Sequence, residues 1–362
     1  MAITIQHKRD TAANWTSNNP TLAAGEFGFE TDTGKFKAGD GSTAWSSLGY
    51  FETAAPSGPS STQAQGSTSG YASSGGGTPI YSGNIINKYP FSADSNATDV
   101  GDLTTCRCFA AGQSSSASGY VAGGYYGPSP GCMNIIDKFP FSTDANATDV
   151  GDLTSSKYGL AGQSSTDNGY VSGGYGTDFM NVIEKFPFSA DSNASDVGDL
   201  TGCKYTAAGQ SSSTHGYVSG GLFGSPYVTL NVIEKFSFSV DGNGSDVGDL
   251  VVCTYTNAGQ NSSTHGYTSG GQQFSQIYQN AIQKFPFSSD SNATDVGDLL
   301  CAAMEVAGNS STSSGYTVGG RVNDPGAPET NVIQKFPFSS DSDATDVGDL
   351  TETRFFMTGQ QV

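Results

Sequence analysis

The stretch GYVSGGYGTDFMNVIEKFPFSADSNASDVGDL (residues 169–200) decides the fold of this chain of 362 residues. Its pattern recurs six times, with the Gly-Tyr pair beginning at Gly70, Gly119, Gly169, Gly216, Gly266 and Gly315. The closing leucine of each copy falls at Leu103, Leu153, Leu200, Leu250, Leu299 and Leu350. Successive Gly-Tyr pairs are 49, 50, 47, 50 and 49 residues apart. A period of roughly 20–50 residues is typical of repeat architectures, so we expect residues 70–362 to form one repeat domain.

One copy of the repeat predicts four short strands. They are KYGLAGQSS (157–165), GYVSGG (169–174), NVIEKFPF (181–188) and SDVGDL (195–200). Each is bounded by Gly, Ser, Asn or Asp, which favour turns, and no segment has a sustained helical period. Four antiparallel strands repeated in this way are typical of a β-propeller blade. The sequence therefore predicts an all-β fold with a six-bladed β-propeller.

The two ends of the repeat region predict how the ring closes. The repeats begin at a second strand, Gly70, and stop after a first strand, RFFMTGQQ (354–361), which matches KYGLAGQS (157–164). Residues 60–69 compete for the same place but lack the aromatic residue. We expect the C-terminal segment to be the innermost strand of the first blade.

The repeat resembles the kelch repeat in length and in its double glycine, as at Gly173–Gly174 and Gly220–Gly221. An aromatic residue occupies the third strand of every copy, for example Phe186. Where kelch repeats carry Trp, this chain has Val, as at Val197. The resemblance implies a kelch-like propeller and says little about partners.

Composition excludes several classes of function. The formal net charge is −19, and no basic cluster is present, so we expect no nucleic-acid partner. The longest apolar runs are too short to insert into a membrane, and the N-terminal MAITIQHKRD has no secretory apolar segment. Three His residues leave little material for catalysis or a metal centre, and we expect no cofactor.

All length variation among the copies lies in the loop between the second and third strands. These loops are residues 76–83, 125–133, 175–180, 222–230, 272–279 and 321–330. Loops vary where packing does not constrain them, and Tyr and Phe suit recognition, including stacking on sugars. The candidate ligand-binding residues are Tyr81, Tyr125, Tyr126, Phe179, Phe223, Tyr227, Phe274, Tyr278 and Arg321. The alternative is unconstrained drift of surface loops.

The turns at the opposite end are nearly the same in every copy. Each carries a pattern such as Asp94, Asn96, Asp99 and Asp102. These oxygens are weak calcium candidates, but they lack the EF-hand spacing, and Asx turns with a charged edge explain them equally. No metal is favoured. Cys106, Cys203 and Cys253 share one small-residue position in different copies, which argues against a disulfide framework, and His215 and His265 are turn residues.

The first fifty residues differ from the repeats and contain both tryptophans, Trp15 and Trp45. Their motifs are Leu22–Glu26, Glu30-Thr-Asp-Thr-Gly34, Lys35 to Lys37, Gly39-Asp-Gly41, Leu48 and Tyr50. This segment resembles the N-terminal module of bacteriophage fibre and tropism-determinant proteins. The resemblance implies a small β-prism that forms a homotrimer, attaches through residues 1–52 to other virion proteins, and places the chain on the phage particle. The repeats resemble structural proteins of marine phages more loosely.

Residues 53–69 are rich in Ser, Thr, Gly and Pro and are interpreted as a flexible linker. We therefore expect a virion fibre protein that displays its propeller to a host-surface glycan or protein. The alternative is an architectural decoration of the neck or head that binds no receptor. A glycosidase is a third reading, since it needs two carboxyl groups roughly 5–9.5 Å apart. The variable loops offer only Asp178, Asp324 and Glu329, so we expect no enzyme activity.

Overall fold

The computed structural model describes residues 8–50, 65–77, 83–127, 131–224, 226–323 and 328–362. The chain divides into two compact units, Met1–Ser60 and Ser61–Val362. Two residues considered above, Tyr81 and Asp324, lie outside the described ranges. Within those ranges, no helix is long and apolar enough to cross a membrane.

The N-terminal unit contains a three-stranded sheet and, contrary to the expectation of an all-β module, a short helix. Its elements are the strands Lys8–Asp10, Phe27–Glu30 and Phe36–Ala38, the α-helix Ala12–Asn18 and the 3-10 helix Trp45–Ser47. The Thr11 side chain caps the α-helix by accepting a hydrogen bond from the Asn14 N–H. Trp15 and Trp45 stack with ring centroids 4.2 Å apart and form the core with Leu22. The helix therefore places the Trp15 ring in this core.

The repeat unit consists of six antiparallel four-stranded sheets, numbered here in chain order. Their strands, from first to fourth, are Thr358–Gln361, Ser69–Ser73, Gly83–Pro90 and Thr98–Arg107 in sheet 1; Ala111–Ser114, Ser118–Ala122, Ile135–Pro140 and Thr148–Asp152 in sheet 2; Ala161–Ser164, Asn168–Ser172, Val182–Pro187 and Ser195–Asp199 in sheet 3; Ala208–Ser211, His215–Ser219, Val232–Ser237 and Ser245–Asp249 in sheet 4; Ala258–Asn261, His265–Ser269, Ala281–Pro286 and Thr294–Asp298 in sheet 5; and Ala307–Ser310, Ser314–Val322, Glu329–Pro337 and Thr345–Asp349 in sheet 6. Ala303–Met304 also pairs with the second strand of sheet 6, and two small hairpins join Tyr125–Tyr126 to Gly131–Cys132 and Leu222–Phe223 to Val228–Thr229.

The strands are shorter than the sequence predicts. The first strand of sheet 3 begins at Ala161, not at Lys157, because the residue at position 159 of this segment adopts a left-handed conformation. The residues before that bend belong to the connection from the preceding sheet. They do not join the ladder, and their side chains are free for other contacts.

The C-terminal strand has the predicted partner. Thr358–Gln361 pairs antiparallel with Ser69–Ser73, so the first sheet is built from both ends of the repeat unit. The alternative, that residues 60–69 fill this place, is wrong because Ser69 itself begins the second strand.

The first strands of the six sheets contact one another in cyclic order, and the strand of sheet 1 contacts those of sheets 6 and 2. Each of these strands carries a glycine whose added Cβ would lie 2.0–2.3 Å from the carbonyl oxygen of the glycine in the neighbouring sheet. The six are Gly112, Gly162, Gly209, Gly259, Gly308 and Gly359. The six first strands therefore approach so closely that only glycine fits between them.

A single methyl group at this position is expected to destabilise the repeat unit. The Cβ of Gly209→Ala would lie 2.2 Å from the oxygen of Gly162, and rigid backbone on both sides leaves little room to relax. Overpacking of this kind costs about 1–3 kcal/mol, and we expect the upper end. Gly202→Ala is the matched control, because a Cβ there meets nothing within 4 Å. Equal urea midpoints for the two variants would contradict the close approach.

The sheets have two distinct ends. We call the loop face the end that carries the six variable loops and the connections from each fourth strand to the next first strand, such as residues 200–207. We call the turn face the end that carries hairpins such as 212–214 and turns such as 238–244.

On the turn face, the acidic turns join each sheet to the next. Six Lys–Asp ion pairs of 2.5–3.0 Å run in cyclic order, namely Lys88–Asp144, Lys138–Asp191, Lys185–Asp241, Lys235–Asp290, Lys284–Asp341 and Lys335–Asp94. The Asn96 side chain accepts from the Asp349 N–H at 3.1 Å, and Asp99 accepts from the Gly101 N–H at 3.1 Å. The Asp102 N–H donates to Asn146 at 3.0 Å. The four weak calcium candidates thus connect neighbouring sheets or cap a turn, and among the described residues no His, Cys, Asp or Glu cluster is arranged to hold a metal.

Buried charges connect neighbouring sheets nearer the loop face. The pairs Arg107–Asp137, Lys157–Glu184 and Lys204–Glu234 are each 2.6 Å long, and all six side chains are buried. At the next two interfaces, uncharged Thr254 and Ala303 replace the cation, and Gln283 and Gln334 replace the acid. At these two interfaces the cation and the acid disappear together, as expected where a lone buried charge is costly, whereas at the sixth interface Arg354 faces uncharged Asn87 and donates to backbone carbonyls.

Candidate functional site

The variable loops are tied to the connections between sheets, and together they form the loop face. Each connection makes a backbone bridge to the residue that follows the double glycine, for example Tyr158 with Tyr175 and Tyr205 with Leu222. In sheet 6 the same contact is the pairing of Met304 with Arg321. These bridges place residues of two neighbouring repeats side by side on one surface.

Aromatic side chains on this surface form a continuous series across sheets 2 to 5. Ring centroids are separated by 5.0 Å for Tyr125–Tyr158, 5.8 Å for Tyr158–Tyr175 and 5.1 Å for Tyr175–Phe179. Phe179 continues to Phe223 at 5.6 Å and to Tyr227 at 6.2 Å, and Tyr227 continues to Phe274 at 6.1 Å. We call this set the aromatic ridge: Tyr125, Tyr158, Tyr175, Phe179, Phe223, Tyr227 and Phe274.

The outer part of the aromatic ridge is exposed. Tyr227 and Phe274 are 51% and 52% exposed, and Phe223 is 43% exposed. Tyr227, Phe274, Val228 and Val251 line an open groove between the loops of sheets 4 and 5. Large apolar side chains that gather in one exposed patch, rather than being scattered, mark interaction sites.

The structure brings most of the predicted residues together. Tyr125, Phe179, Phe223, Tyr227 and Phe274 belong to the aromatic ridge, Tyr126 is exposed beside Tyr125, and Tyr278 is half-buried in the loop of sheet 5. Arg321 stands apart from them: its guanidinium lies over the Phe355 ring at 3.9 Å and pairs with Glu305. It is therefore engaged by the connections on either side of sheet 6 and is not set aside for a ligand.

Sequence reasoning missed Tyr158, Tyr175 and Tyr205, which join the ridge or contact it. Tyr158 and Tyr205 sit just before the left-handed residue that precedes the first strand, in segments predicted to be strand. Each directly follows a buried cation, Lys157 or Lys204, and nothing in the sequence indicates that its ring faces the surface. Only the bend reveals that their rings face the loop face.

At the centre of the loop face, six residues form a ring closed by backbone hydrogen bonds. Each N–H donates to the carbonyl of the preceding member at 2.8–3.1 Å, and the cycle closes from Phe109 to Phe356. We call this set the axial ring: Phe109, Gly159, Thr206, Thr256, Glu305 and Phe356. All six have φ between 52° and 67°, a conformation that non-glycine residues adopt at an energetic cost. The closed hydrogen-bond cycle explains why five of them tolerate it.

Glu305 is the one acidic member of the axial ring. It is 7% exposed, and its Oε2 lies 3.3 Å from Nε of Arg321. Burial raises the pKa of Glu305 to about 7; Arg321 opposes the rise, and Glu329 adds to it. Tyr205, Tyr255 and Cys108 also feel its charge.

The raised pKa predicts a specific pH dependence of stability. Since the folded pKa exceeds the ordinary value of 4.5, the protonated form favours folding, and that stability is lost as pH rises through about 7. The Glu305→Gln variant lacks this titration. Relative to the wild type it should gain roughly 3 kcal/mol in unfolding free energy between pH 4.5 and pH 8. Urea unfolding at both pH values measures this, with the exposed Glu352→Gln as control; parallel pH curves for wild type and Glu305→Gln would refute it.

Positive charge on the repeat unit is fully engaged. All eleven of its Lys and Arg residues are among the described residues. Six form the ion pairs of the turn face, three form buried pairs with Asp or Glu, and Arg321 pairs with Glu305. Arg354 is buried and donates to the carbonyls of Ser74 and Ile85 at 3.0 Å, and burial lowers its pKa to about 10. The loop face therefore has no cation set aside for an anionic ligand.

The other residues considered for a functional role are the cysteines, two histidines and two loop carboxylates, and their contacts are structural. All six cysteines are free, and burial raises the pKa of the Cys108 thiol to about 12, which makes it unreactive. His215 and His265 were predicted to be turn residues, but each is the first residue of a second strand at the turn face, and burial lowers the pKa of each. Asp178 accepts from the Phe179 N–H at 2.8 Å, and Glu329 begins the third strand of sheet 6.

Comparison with known proteins bears on the N-terminal unit. Residues 5–43 match the family described as the Major tropism determinant N-terminal domain. A segment of 46 residues is 50% identical to a hyaluronoglucosaminidase of Streptococcus pyogenes phage H10403 and covers 13% of this chain and 14% of that protein. The chain thus carries a phage fibre-like N-terminal module, which identifies it as a component of a phage particle.

Proposed function

We propose that this protein is a virion fibre protein whose repeat unit is a six-bladed, kelch-like β-propeller that binds a glycan of the host surface through its loop face. The observation that carries the proposal is the aromatic ridge, a contiguous series of Tyr and Phe rings built from the variable loops of sheets 2 to 5 and from the connection that carries Tyr158. The protein binds its ligand and does not transform it.

Aromatic rings suit a sugar ligand because the apolar C–H face of a pyranose stacks on them while its hydroxyls reach neighbouring polar groups. The exposed rings of Tyr227 and Phe274 line an open groove on the loop face. In such an open groove, successive sugar residues of an extended polysaccharide contact successive side chains of the protein. A ridge shared by several loops also lets a sequence change in one loop alter specificity without disturbing the strands.

The chain enters the repeat unit at the turn face, opposite the aromatic ridge. The Gly66 N–H donates to Ser310 at 2.7 Å, and the Thr312 N–H donates to Gly66 at 3.0 Å, next to the hairpin of sheet 6. The Thr68 N–H donates to Val362 at 2.6 Å. Residues 66–68 therefore contact the repeat unit at the turn face, away from the aromatic ridge.

We also propose that the N-terminal module forms a homotrimer and attaches to other virion proteins. Phe27 and Phe29 project from one face of its strand and are each 38% exposed, while the alternate residues of that strand are buried. An exposed aromatic sheet face on so small a unit is stabilised by association. Three linked propellers would raise the avidity of weak glycan sites by roughly 10²–10⁴.

Cell binding tests this function. Fluorescently labelled full-length protein should bind candidate host bacteria saturably, and Tyr227→Ser with Phe274→Ser should reduce binding at least tenfold. The matched control is Lys88→Ser with Lys138→Ser on the turn face, which should bind as the wild type does. Equal binding by the ridge variant and the wild type would refute the assigned face. Absence of binding across a broad panel would favour the purely architectural role.

A further inference from the structure

A small pocket opens on the loop face at the centre of the axial ring. Each of the six connections between sheets contributes two residues to its lining. Those that matter for recognition are the rings of Phe109 and Phe356, the hydroxyls of Thr206 and Thr256, and the side chains of Asn257 and Glu305. Side chains from all six connections therefore meet around this cavity.

Two buried acceptors in this pocket lack hydrogen-bond donors. Glu305 is 7% exposed and Asn257 is 8% exposed, and Oδ1 of Asn257 accepts no hydrogen bond, while Oε2 of Glu305 has only its ion pair with Nε of Arg321 at 3.3 Å, without hydrogen-bond geometry. The Asn257 amide is fixed, because its Nδ2 donates to Thr254 at 2.9 Å. A buried acceptor without a donor is energetically costly, because it has lost its hydrogen bonds to water. Two of them in one lining indicate that a ligand supplies the donors.

The charges around the pocket restrict that ligand to a neutral one. The Glu305 carboxylate would repel an anion, and Arg321, 3.3 Å from that carboxylate, would repel an ammonium group. Together the pair has a net charge close to zero, and Glu305 and Asn257 contribute acceptor groups to the residues that line the pocket. Hydroxyl groups meet this requirement, because they donate hydrogen bonds without carrying charge.

The aromatic walls connect the pocket to the aromatic ridge. Phe109 and Phe356 are half-buried at the mouth, with centroids 3.5 Å apart. Phe109 also meets Tyr158 of the ridge at 5.7 Å. A ligand seated in the pocket would therefore continue directly onto the ridge.

We propose that the axial pocket is the subsite for one neutral sugar residue, whose hydroxyls donate to Glu305 and Asn257 and whose apolar face rests against Phe109 or Phe356. The aromatic ridge takes the residues that follow. This inference rests on the proposed glycan-binding function and names the class of glycan: it is uncharged at the residue that enters the pocket.

Saturation-transfer NMR on the full-length protein tests the proposal. The probes are the methyl glycosides of glucose, galactose, mannose and N-acetylglucosamine, with methyl glucuronide as the charged comparison. At least one neutral glycoside should receive saturation, and methyl glucuronide should not. The Glu305→Thr variant should lose at least tenfold in affinity. It is expected to fold, since Thr206 and Thr256 occupy the same left-handed position in sibling repeats.

The outcomes separate this inference from the function on which it rests. If Glu305→Thr binds the glycoside as well as the wild type, or if no neutral glycoside binds, the axial subsite is wrong. If Glu305→Thr still binds cells but the Tyr227/Phe274 variant does not, the axial subsite is refuted and the proposed function stands. Saturation of methyl glucuronide equal to that of the neutral probes overturns the assignment to an uncharged sugar. If neither variant loses cell binding, both the axial subsite and the proposed function are refuted.

Discussion

Deletion of residues 354–362 from the full chain is expected to abolish the cooperative unfolding of the repeat unit. These residues supply the first strand of sheet 1 and link sheets 6 and 2 across it. Nδ2 of Asn309 donates to the Gln360 carbonyl at 2.6 Å, and the Gln360 side chain donates to Tyr120 at 3.3 Å. Without them, two interfaces open and Phe355, now fully buried, is lost.

Calorimetry measures this effect. The wild type should show a sharp transition of the repeat unit, and the truncated chain should show a broad one or none, with binding of a hydrophobic dye at 25 °C. Addition of a synthetic peptide of residues 354–362 should restore part of the transition, which separates loss of this strand from general damage. A truncated chain with an unchanged, sharp transition would contradict closure by the C-terminal strand.

Removal of one member of a buried ion pair is the second large effect. Nζ of Lys204 lies 2.6 Å from Glu234, both are buried, and the Glu234 side chain also accepts from the Thr201 N–H at 2.6 Å. Lys204→Thr leaves the carboxylate buried without its cation, which should cost about 3–5 kcal/mol.

The chain provides its own compensating pair for this variant. At the next interface, Thr254 stands in place of the lysine, and the Gln283 side chain accepts from the Val252 N–H at 2.9 Å. The double variant Lys204→Thr/Glu234→Gln copies that arrangement and should recover most of the lost stability.

Urea unfolding of the single and double variants gives the coupling energy of the pair. Lys235→Thr is the control, since its ion pair with Asp290 lies on the surface and should be worth less than about 1 kcal/mol. A double variant as unstable as Lys204→Thr would show that lost packing, rather than the unpaired charge, causes the effect.

The repeat period and turn residues were enough to predict the strands and the pairing of the C-terminal segment, because both depend on local pattern and on the count of copies. The buried ion pairs between neighbouring sheets could not be predicted from the sequence. Arg107 and Asp137 are thirty residues apart and meet only because neighbouring sheets pack in one register. The same register turns the acidic motif of Asp94 and Asn96 into a contact between sheets.

The candidate site was predicted in part. Variation in length pointed to the loops that carry Phe179, Tyr227 and Phe274, since unpacked segments are free to change. Tyr158 and Glu305 were missed because a left-handed residue turns the chain just before each first strand, and no composition signal marks it. The helix Ala12–Asn18 was missed because seven residues are too few to show a helical period.

Orientation-dependent capture of host cells tests the central claim, that the loop face carries recognition. Beads would display the full-length protein either through an N-terminal tag or through a tag inserted between Asn323 and Pro328, within a variable loop of sheet 6. The first attachment lies outside the repeat unit and leaves the aromatic ridge free, whereas the second fixes the loop face to the bead. The account predicts capture of host cells by the first beads and at least tenfold less by the second. Equal capture by both, or capture by the second alone, would contradict it.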